Sequence, residues 1–280
     1  MGTIRSFSAS NLPDLLKQIK AISDLWAPGA ADPEELWFRG DNRTYSLLPS
    51  IYRNPSANWA YDEENLHERF RVKGTPFQPR HVLNDWDWYF LGQHHGLPTR
   101  LLDWTENALV AAYFAISPTI DFRDRTFYDR ARELPLQSPV YDEMSPVIWV
   151  LDAGSLNSFS CSEDCVLTLG GPHCDAYLIK GLRNQTDKNR YPIAVLPAHT
   201  NERLAVQQSV FTIHGHERSS LESIVISPNC NVRLAKIEID RANVAHLWRD
   251  LELLGVSKSW LFPGLDSVAE TIKWISQGSP

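Results

Sequence analysis

The chain of 280 residues lacks several features that would fix its class at a glance. No run of about 18 apolar residues occurs, so no membrane-spanning helix is predicted. The first residues lack the basic-then-apolar layout of an export signal. The expectation is therefore a cytoplasmic protein with no membrane partner. Basic residues are not in surplus: 27 Lys and Arg stand against 34 Asp and Glu, a formal net charge of −7. Proteins that coat duplex DNA carry the opposite balance, which sets that class aside unless a local basic groove exists. Cysteines number only four, Cys161, Cys165, Cys174 and Cys230. In a reducing compartment these read as thiols rather than disulfides. Gly-x-Gly-x-x-Gly and Walker loops are missing, which argues against a Rossmann or P-loop nucleotide site. No Gly-x-Ser-x-Gly elbow signals a serine hydrolase, and no internal repeat is present.

Aromatic residues, by contrast, are plentiful, with ten Trp. Large aromatics fill cores, line ligand pockets and provide stacking surfaces, so their number alone selects none of these. The length suits one large domain, 1–280, with an N-terminal helical region over 1–30. Leu12, Leu15, Ile19 and Ile22 recur at helical spacing, and Pro13 sits where a missing N–H does no harm. That helix ends near Trp26, and 27–33 reads as a loop. Leu36–Phe38 reads as a buried strand running into Arg39 and Gly40, and 45–53 as irregular chain. Helices follow over 61–72 and from about Leu83 to His95, the latter stopped by Gly96. Residues 98–104 read as extended, and Glu106–Ile116 as an apolar helix with Thr105 as its N-cap.

Two stretches read as irregular insertions, 117–145 and 157–188. Strands are expected at Val147–Leu151, Ile193–Leu196, Val210–His214 and Val232–Ile239. Asp240 is placed to cap a helix through Val244, Leu247, Leu251 and Leu254, closed by Gly255. A turn at Leu261–Gly264 precedes a last helix carrying Val268, Ile272 and Ile275. Helices lie early and late with strands between them, an α+β pattern rather than regular βαβ alternation.

Four clusters carry possible chemistry. In Trp37-Phe38-Arg39-Gly40, a strand delivers an Arg suited to bidentate grip on phosphate or carboxylate. Gly40 permits a turn or a close backbone approach. The simpler alternative is an Arg39 salt bridge to Asp41. The run from Gln93 to Thr105 packs His94, His95, Thr99, Arg100, Asp103 and Trp104 between two apolar helices. Here His94 and His95 either complement a helix end or handle protons, and Asp103 either pairs with Arg39 or Arg100 or meets a ligand. The third cluster, Cys161, Cys165, His173 and Cys174, has thiols and an imidazole. Its adjacent second pair makes shared tetrahedral ligation awkward, so no metal is expected. The fourth, His214 to Arg218, reads as a polar turn, with His214 an outside candidate, and Cys230 reads as a core thiol.

Trp37-Phe38-Arg39-Gly40 resembles the motif for which FRG domains are named. Residues Gln93–Ala115 are similar to that family's longest signature. Arg203 with Gln207, Gln208 and Phe211 resembles a third element, and Leu261–Asp266 a closing one. More distantly, an Arg ending one strand, a polar strand leading into an apolar helix, and a polar residue before a third strand resemble the order of ADP-ribosyltransferases. That resemblance implies a mixed or antiparallel split sheet flanked by helices, with NAD as substrate. It also implies an NAD-dependent transferase modifying protein or nucleic acid, as a bacterial toxin or an agent of phage defence restrained by an inhibitory partner.

Carried over residue by residue, Arg39 holds phosphate, and Asp103, Thr105, Gln208 and His95 serve catalysis. Arg39, Gly40, His94, Thr99, Arg100, Trp104, Arg203 and Phe211 hold NAD. Two departures stand out: Asp103-Trp104-Thr105 replaces the Ser-Thr-Ser-like element, and Gln207 or Gln208 stands where the catalytic Glu is expected. A Gln hydrogen-bonds ribose but cannot act as a carboxylate. The alternatives are a non-catalytic nucleotide- or nucleic-acid-binding module and, ranked last, a hydrolase using His94 or His95 with Asp103.

Overall fold

The computed structural model describes residues 3–26, 36–42, 46–53, 59–77, 84–117, 146–197 and 202–276. The loop expected at 27–33 and nearly all of the insertion expected at 117–145 lie outside them. The strands are β1 Arg5–Ala9, β2 Leu36–Asp41, β3 Leu101–Thr105, β4 Val147–Asp152, β5 Leu167–Thr168, β6 Ile193–Leu196, β7 Ser209–Ile213 and β8 Leu234–Ile239. The first helices are α1 Leu12–Trp26, α2 Trp59–Gly74, α3 Asp85–His94, α4 Ala108–Ile116, α5 Ala153–Cys161 and α6 Pro172–Asp175. Then come α7 Ile179–Leu182, α8 Glu202–Val206, α9 Leu221–Val225, α10 Val244–Leu253, α11 Lys258–Leu261 and α12 Leu265–Ser276.

The strands form one mixed sheet in the order β1-β8-β4-β2-β3-β7-β6-β5. The edge pairs β1–β8 and β5–β6 run parallel, and the inner pairs are antiparallel. The fold is α+β, as the order of elements predicts. The seam between β2 and β3 is unusual, because a single pair, Phe38 with Thr105, joins them. On either side of it, β2 pairs with β4 over six residues and β3 with β7 over five. The sheet is thus two well-paired halves hinged at one point.

Helices cover both faces. On one face, α1, α4 and α10 bury Leu15, Ile22, Val110, Leu247 and Leu251 against Ile148, Val150 and Ile237. Each such aliphatic side chain contributes about 1.5–3 kcal/mol when fully buried. Asn11 accepts from the Asp14 N–H at 2.8 Å and so starts α1. On the other face, α5 and α9 meet Trp37, Trp104 and Trp149. A third cluster joins Trp86, Tyr89 and Phe90 of α3 to Leu101, Phe211 and Ile213. Most of the ten Trp whose surroundings are described are core residues.

Some expectations need correction. β1 precedes α1 and pairs with the distant β8; its alternating, half-exposed residues give no strong local signal. Residues 157–188, expected as mostly loop, also hold the end of α5, β5, α6 and α7. Their shortness hides them from periodicity. The N-cap of α4 is Asn107, whose Oδ1 accepts from the Leu109 and Val110 N–H groups. Thr105 lies two residues earlier, inside β3.

At the start of β3, Arg100 is fully buried. Its Nε donates to both Glu63 oxygens at 3.0 and 2.8 Å, Nη1 to the His214 carbonyl at 2.8 Å and Nη2 to the Tyr177 carbonyl at 2.5 Å. Tyr89 Oη donates to Glu63 and accepts from the Arg100 backbone N–H. Burial opposes the Arg100 charge, but Glu63, Tyr89 and Tyr52 outweigh it and hold the guanidinium above its ordinary value. Glu63→Gln should therefore leave an uncompensated cation and cost about 3–5 kcal/mol. Chemical denaturation should show this loss, and Glu63→Leu combined with Arg100→Met should recover part of it.

Two imidazoles sit beside this cation. His214 is fully buried and His67 nearly so. Burial first, and Arg100 second, lower the His214 pKa to about 3 and that of His67 to about 4. In the unfolded chain both titrate near 6.5. Stability is therefore full above about pH 6.5 and falls as acid protonates the unfolded imidazoles, down to the folded values. At about pH 5 the loss is on the order of 2 kcal/mol for each. Melting curves at about pH 7.5 and about pH 5 should show it. Among the described residues neither His214 ring nitrogen has a hydrogen-bond partner, so His214→Leu should retain the fold and flatten the pH dependence.

Candidate functional site

Where β2 and β3 diverge from their single pair, a cleft of about 320 Å³ opens. Its walls come from β2, β3, β7, α3, α4 and α8. Arg39 stands in the gap and donates from Nη1 to the Asp103 carbonyl at 2.8 Å, bridging the two strands. Its Nε and Nη2 donate to Asp41 at 3.1 and 3.3 Å. The salt bridge considered from sequence is present, yet it does not exhaust the side chain. A guanidinium has five N–H donors; three are used here among the described residues, and two remain for the cleft.

Asp103 lies across from Arg39. Its Oδ2 accepts from Gln93 Nε2 at 3.0 Å. Gln93 is oriented in turn, because its Oε1 accepts from the Thr99 hydroxyl. Thr99 is fully buried, and its Oγ1 also accepts from the Leu101 N–H at 3.2 Å. A short relay from the core thus aims the carboxylate. Among the lining residues Asp103 is the single carboxylate. Arg203 and His94 complete the polar wall. Burial first, then Arg203 and His95, lower the His94 pKa, and Asp103 opposes this only in part. His94 is therefore neutral at pH 7 and able to take a proton. Arg203 lies over the Phe262 ring at 4.6 Å.

Phe38, Phe90, Phe114 and Phe211 form the apolar wall. Phe90 and Phe211 pack at 4.8 Å between centroids. Of the aromatics proposed from sequence, only Phe211 has this role. Trp37 is fully buried in the opposite core. Trp104 is also in that core, its indole N–H donating to Thr212 Oγ1 at 3.0 Å. Only the edge of residue 104 borders the cleft, because side chains alternate along a strand. Phe38 belongs to the first cluster read from the sequence, whereas Phe90 and Phe114 carry no local signal beyond hydrophobicity.

Several other assignments change. Arg100 is spent on Glu63, and Thr99 orients Gln93, so neither lines the cleft. His95 does not line it either. Thr105 does, but its hydroxyl donates to the Gln207 carbonyl at 2.6 Å and accepts from the Asn107 N–H. Gln208 is exposed, with φ 45°, and turns away; Gln207 lines the cleft instead. Gln207 Nε2 donates to the Leu261 carbonyl at 3.0 Å. Leu261 and Phe262 therefore position Gln207 and Arg203, so residues from four distant stretches meet at one place.

Outside the cleft, no group of three or more His, Cys, Asp or Glu is placed to hold a metal among the described residues. Burial raises the Cys161 and Cys174 pKa values and keeps these thiols protonated.

Gly40 has a structural role. A Cβ there would lie 1.8 Å from the Ala111 carbonyl oxygen and 2.6 Å from the Ala115 nitrogen, both in the α4 backbone. The glycine lets α4 press against β2 beside Arg39. Gly40→Ala should force the helix away and cost at least the 1–3 kcal/mol typical of overpacking. A lowered Tm in the absence of any ligand would confirm this origin.

The family model of the FRG domain matches residues 34–124. This span includes Arg39, Gln93, Asp103 and Thr105, whereas Arg203, Gln207 and Phe262 lie beyond it. No curated protein and no solved structure matches the chain.

Proposed function

For this FRG-domain protein, we propose that the cleft binds NAD and that the chain is an ADP-ribosyltransferase-like enzyme. The observation that carries the reading is the pairing of unspent Arg39 donors with the Asp103 carboxylate across one gap. Arg39 and Arg203 are suited to the diphosphate. Phe90 and Phe211 offer a ring surface for the nicotinamide. Gln93 and Gln207 border the positions where ribose hydroxyls would lie.

The chemistry follows from this placement. The bond between ribose C1′ and the pyridinium nitrogen breaks, and its electron pair leaves with neutral nicotinamide. The ribose passes through a cation-like state that Asp103 stabilises by charge, in a cleft partly screened from water. An acceptor hydroxyl or amine then bonds to C1′, and its proton passes to neutral His94. Asp103 thereby supplies the carboxylate that Gln207 cannot. A macromolecular acceptor, protein or nucleic acid, would suit a toxin or an antiphage effector under the control of an inhibitory partner.

A second reading, a nucleotide- or nucleic-acid-binding module without turnover, is favoured by the engagement of Gln207 with Leu261. One experiment separates the two. Labelled NAD is incubated with the protein, and nicotinamide release and thermal protection are both measured. The enzyme predicts release. Asp103→Asn keeps an acceptor for Gln93, so it should retain NAD protection and lose about 10²–10³ in rate. Arg39→Ala should weaken binding roughly 10- to 100-fold, the worth of a hydrogen bond to a charged group. Protection without release supports the binding module. Neither effect at millimolar NAD would remove both readings for this nucleotide.

A further inference from the structure

A second cavity, of about 450 Å³, lies at the end of α5 beside the turn Asp187–Asn189. It shares no lining residue with the Arg39 cleft. Its volume falls in the range of small-molecule sites. One wall is the ring pair Phe159 and Tyr191, with centroids 4.8 Å apart. Another carries Lys188 and Arg190, with the Arg190 guanidinium over the Tyr191 ring at 5.0 Å.

Ser160 borders this cavity, but its hydroxyl oxygen is inaccessible and, among the described residues, has no hydrogen-bond partner, so it plays no part in the cavity surface. The surroundings are held in place. Buried Asn189 donates to the carbonyls of Ala176, Gly181 and Asn184 and accepts from the Thr186 N–H, which fixes the turn carrying Lys188 and Arg190. The Tyr191 carbonyl accepts from Tyr177 Oη at 2.5 Å.

The other charges here are modest. Arg190 has a long contact of 3.8 Å to Glu217, His173 pairs with Glu163, and Asp187 stands at the rim. Lys188 makes no salt bridge among the described residues.

We propose that this cavity is a second ligand site, separate from the Arg39 cleft, for a nucleoside monophosphate. Lys188 and Arg190 take the phosphate, and the Phe159–Tyr191 wall takes the base. Asp187, an acceptor only, faces the ribose hydroxyls. One phosphate is specified because two cations serve it while Asp187 opposes further negative charge.

The test is calorimetric titration of the full chain with AMP, adenosine and inorganic phosphate. AMP is expected to bind, and each fragment to bind at least about 10-fold more weakly, since ring and phosphate each contribute on the order of 1–3 kcal/mol. Lys188→Ala with Arg190→Ala should weaken AMP by more than about 10-fold. Arg39→Ala should leave it unchanged, which separates this site from the NAD cleft. AMP binding that is abolished by Arg39→Ala and indifferent to the Lys188 and Arg190 changes would overturn the proposal. So would an absence of binding at millimolar AMP.

Discussion

The buried pairing of Arg100 with Glu63 is the contact on which the rest of the molecule depends. It joins α2 to the start of β3, and through the His214 and Tyr177 carbonyls it ties in the end of β7 and the chain before α7. Removing two charges from water is expensive, and only complete hydrogen bonding offsets that cost. Four described acceptor contacts, and Tyr89 against both partners, supply it. The consequence is positional. With residue 100 fixed, the register of β3 on β7 sets where Asp103 and Thr105 lie, and Thr99 next to it is locked into the relay that aims Asp103. Burial, reinforced by the same cation, keeps His67 and His214 neutral, so the network stores a sensitivity to acid within the core.

Given that anchor, the cleft results from incomplete pairing. Central strands usually satisfy their backbone groups along their whole length. Here β2 meets β3 at Phe38 and Thr105 alone, and the Asp103 carbonyl is satisfied by a guanidinium in place of a strand neighbour. Arg39 thus replaces part of a β-ladder while leaving two donors for the cleft. Gly40 allows α4 to close the back of the gap, and the Leu261–Phe262 segment braces Gln207 and Arg203 at its front.

How much of this was legible in the sequence varied with the range of the interaction. Strongly periodic stretches such as Leu12–Ile22 and Glu106–Ile116, and apolar strands such as Val147–Leu151, carry their structure locally and are found within a few residues of the expected bounds. β1 is a strand only because β8, more than 200 residues away, offers an edge. Arg100 looked like a phosphate ligand because its partner Glu63 lies in an unremarkable charged helix, and nothing local links the two. Gln207 and Gln208 are adjacent in sequence, and only the positive φ at Gln208 decides which one enters the cleft. The Arg39–Asp41 bridge was visible from spacing alone. The unused guanidinium donors were not, because counting them requires every neighbour.

The charge of the cleft limits what it can hold. The protein carries a formal net charge of −7, so its long-range field repels anions. Within about 10 Å at ordinary ionic strength, local charges dominate instead. There the cleft presents two guanidiniums, one carboxylate and an imidazole that burial keeps neutral. A simple anion would meet Arg39 and Arg203 favourably but Asp103 unfavourably; a simple cation faces the reverse. A ligand carrying both signs on one frame, phosphates at one end and a cationic ring at the other, gains from both sets without meeting like charge. Placement of Arg39 and Asp103 on facing strands, joined through a backbone carbonyl, fixes the separation of the two signs. On the proposed reading the cleft would select by the spacing of charge, and a change in β2–β3 register would alter that spacing even with every side chain retained.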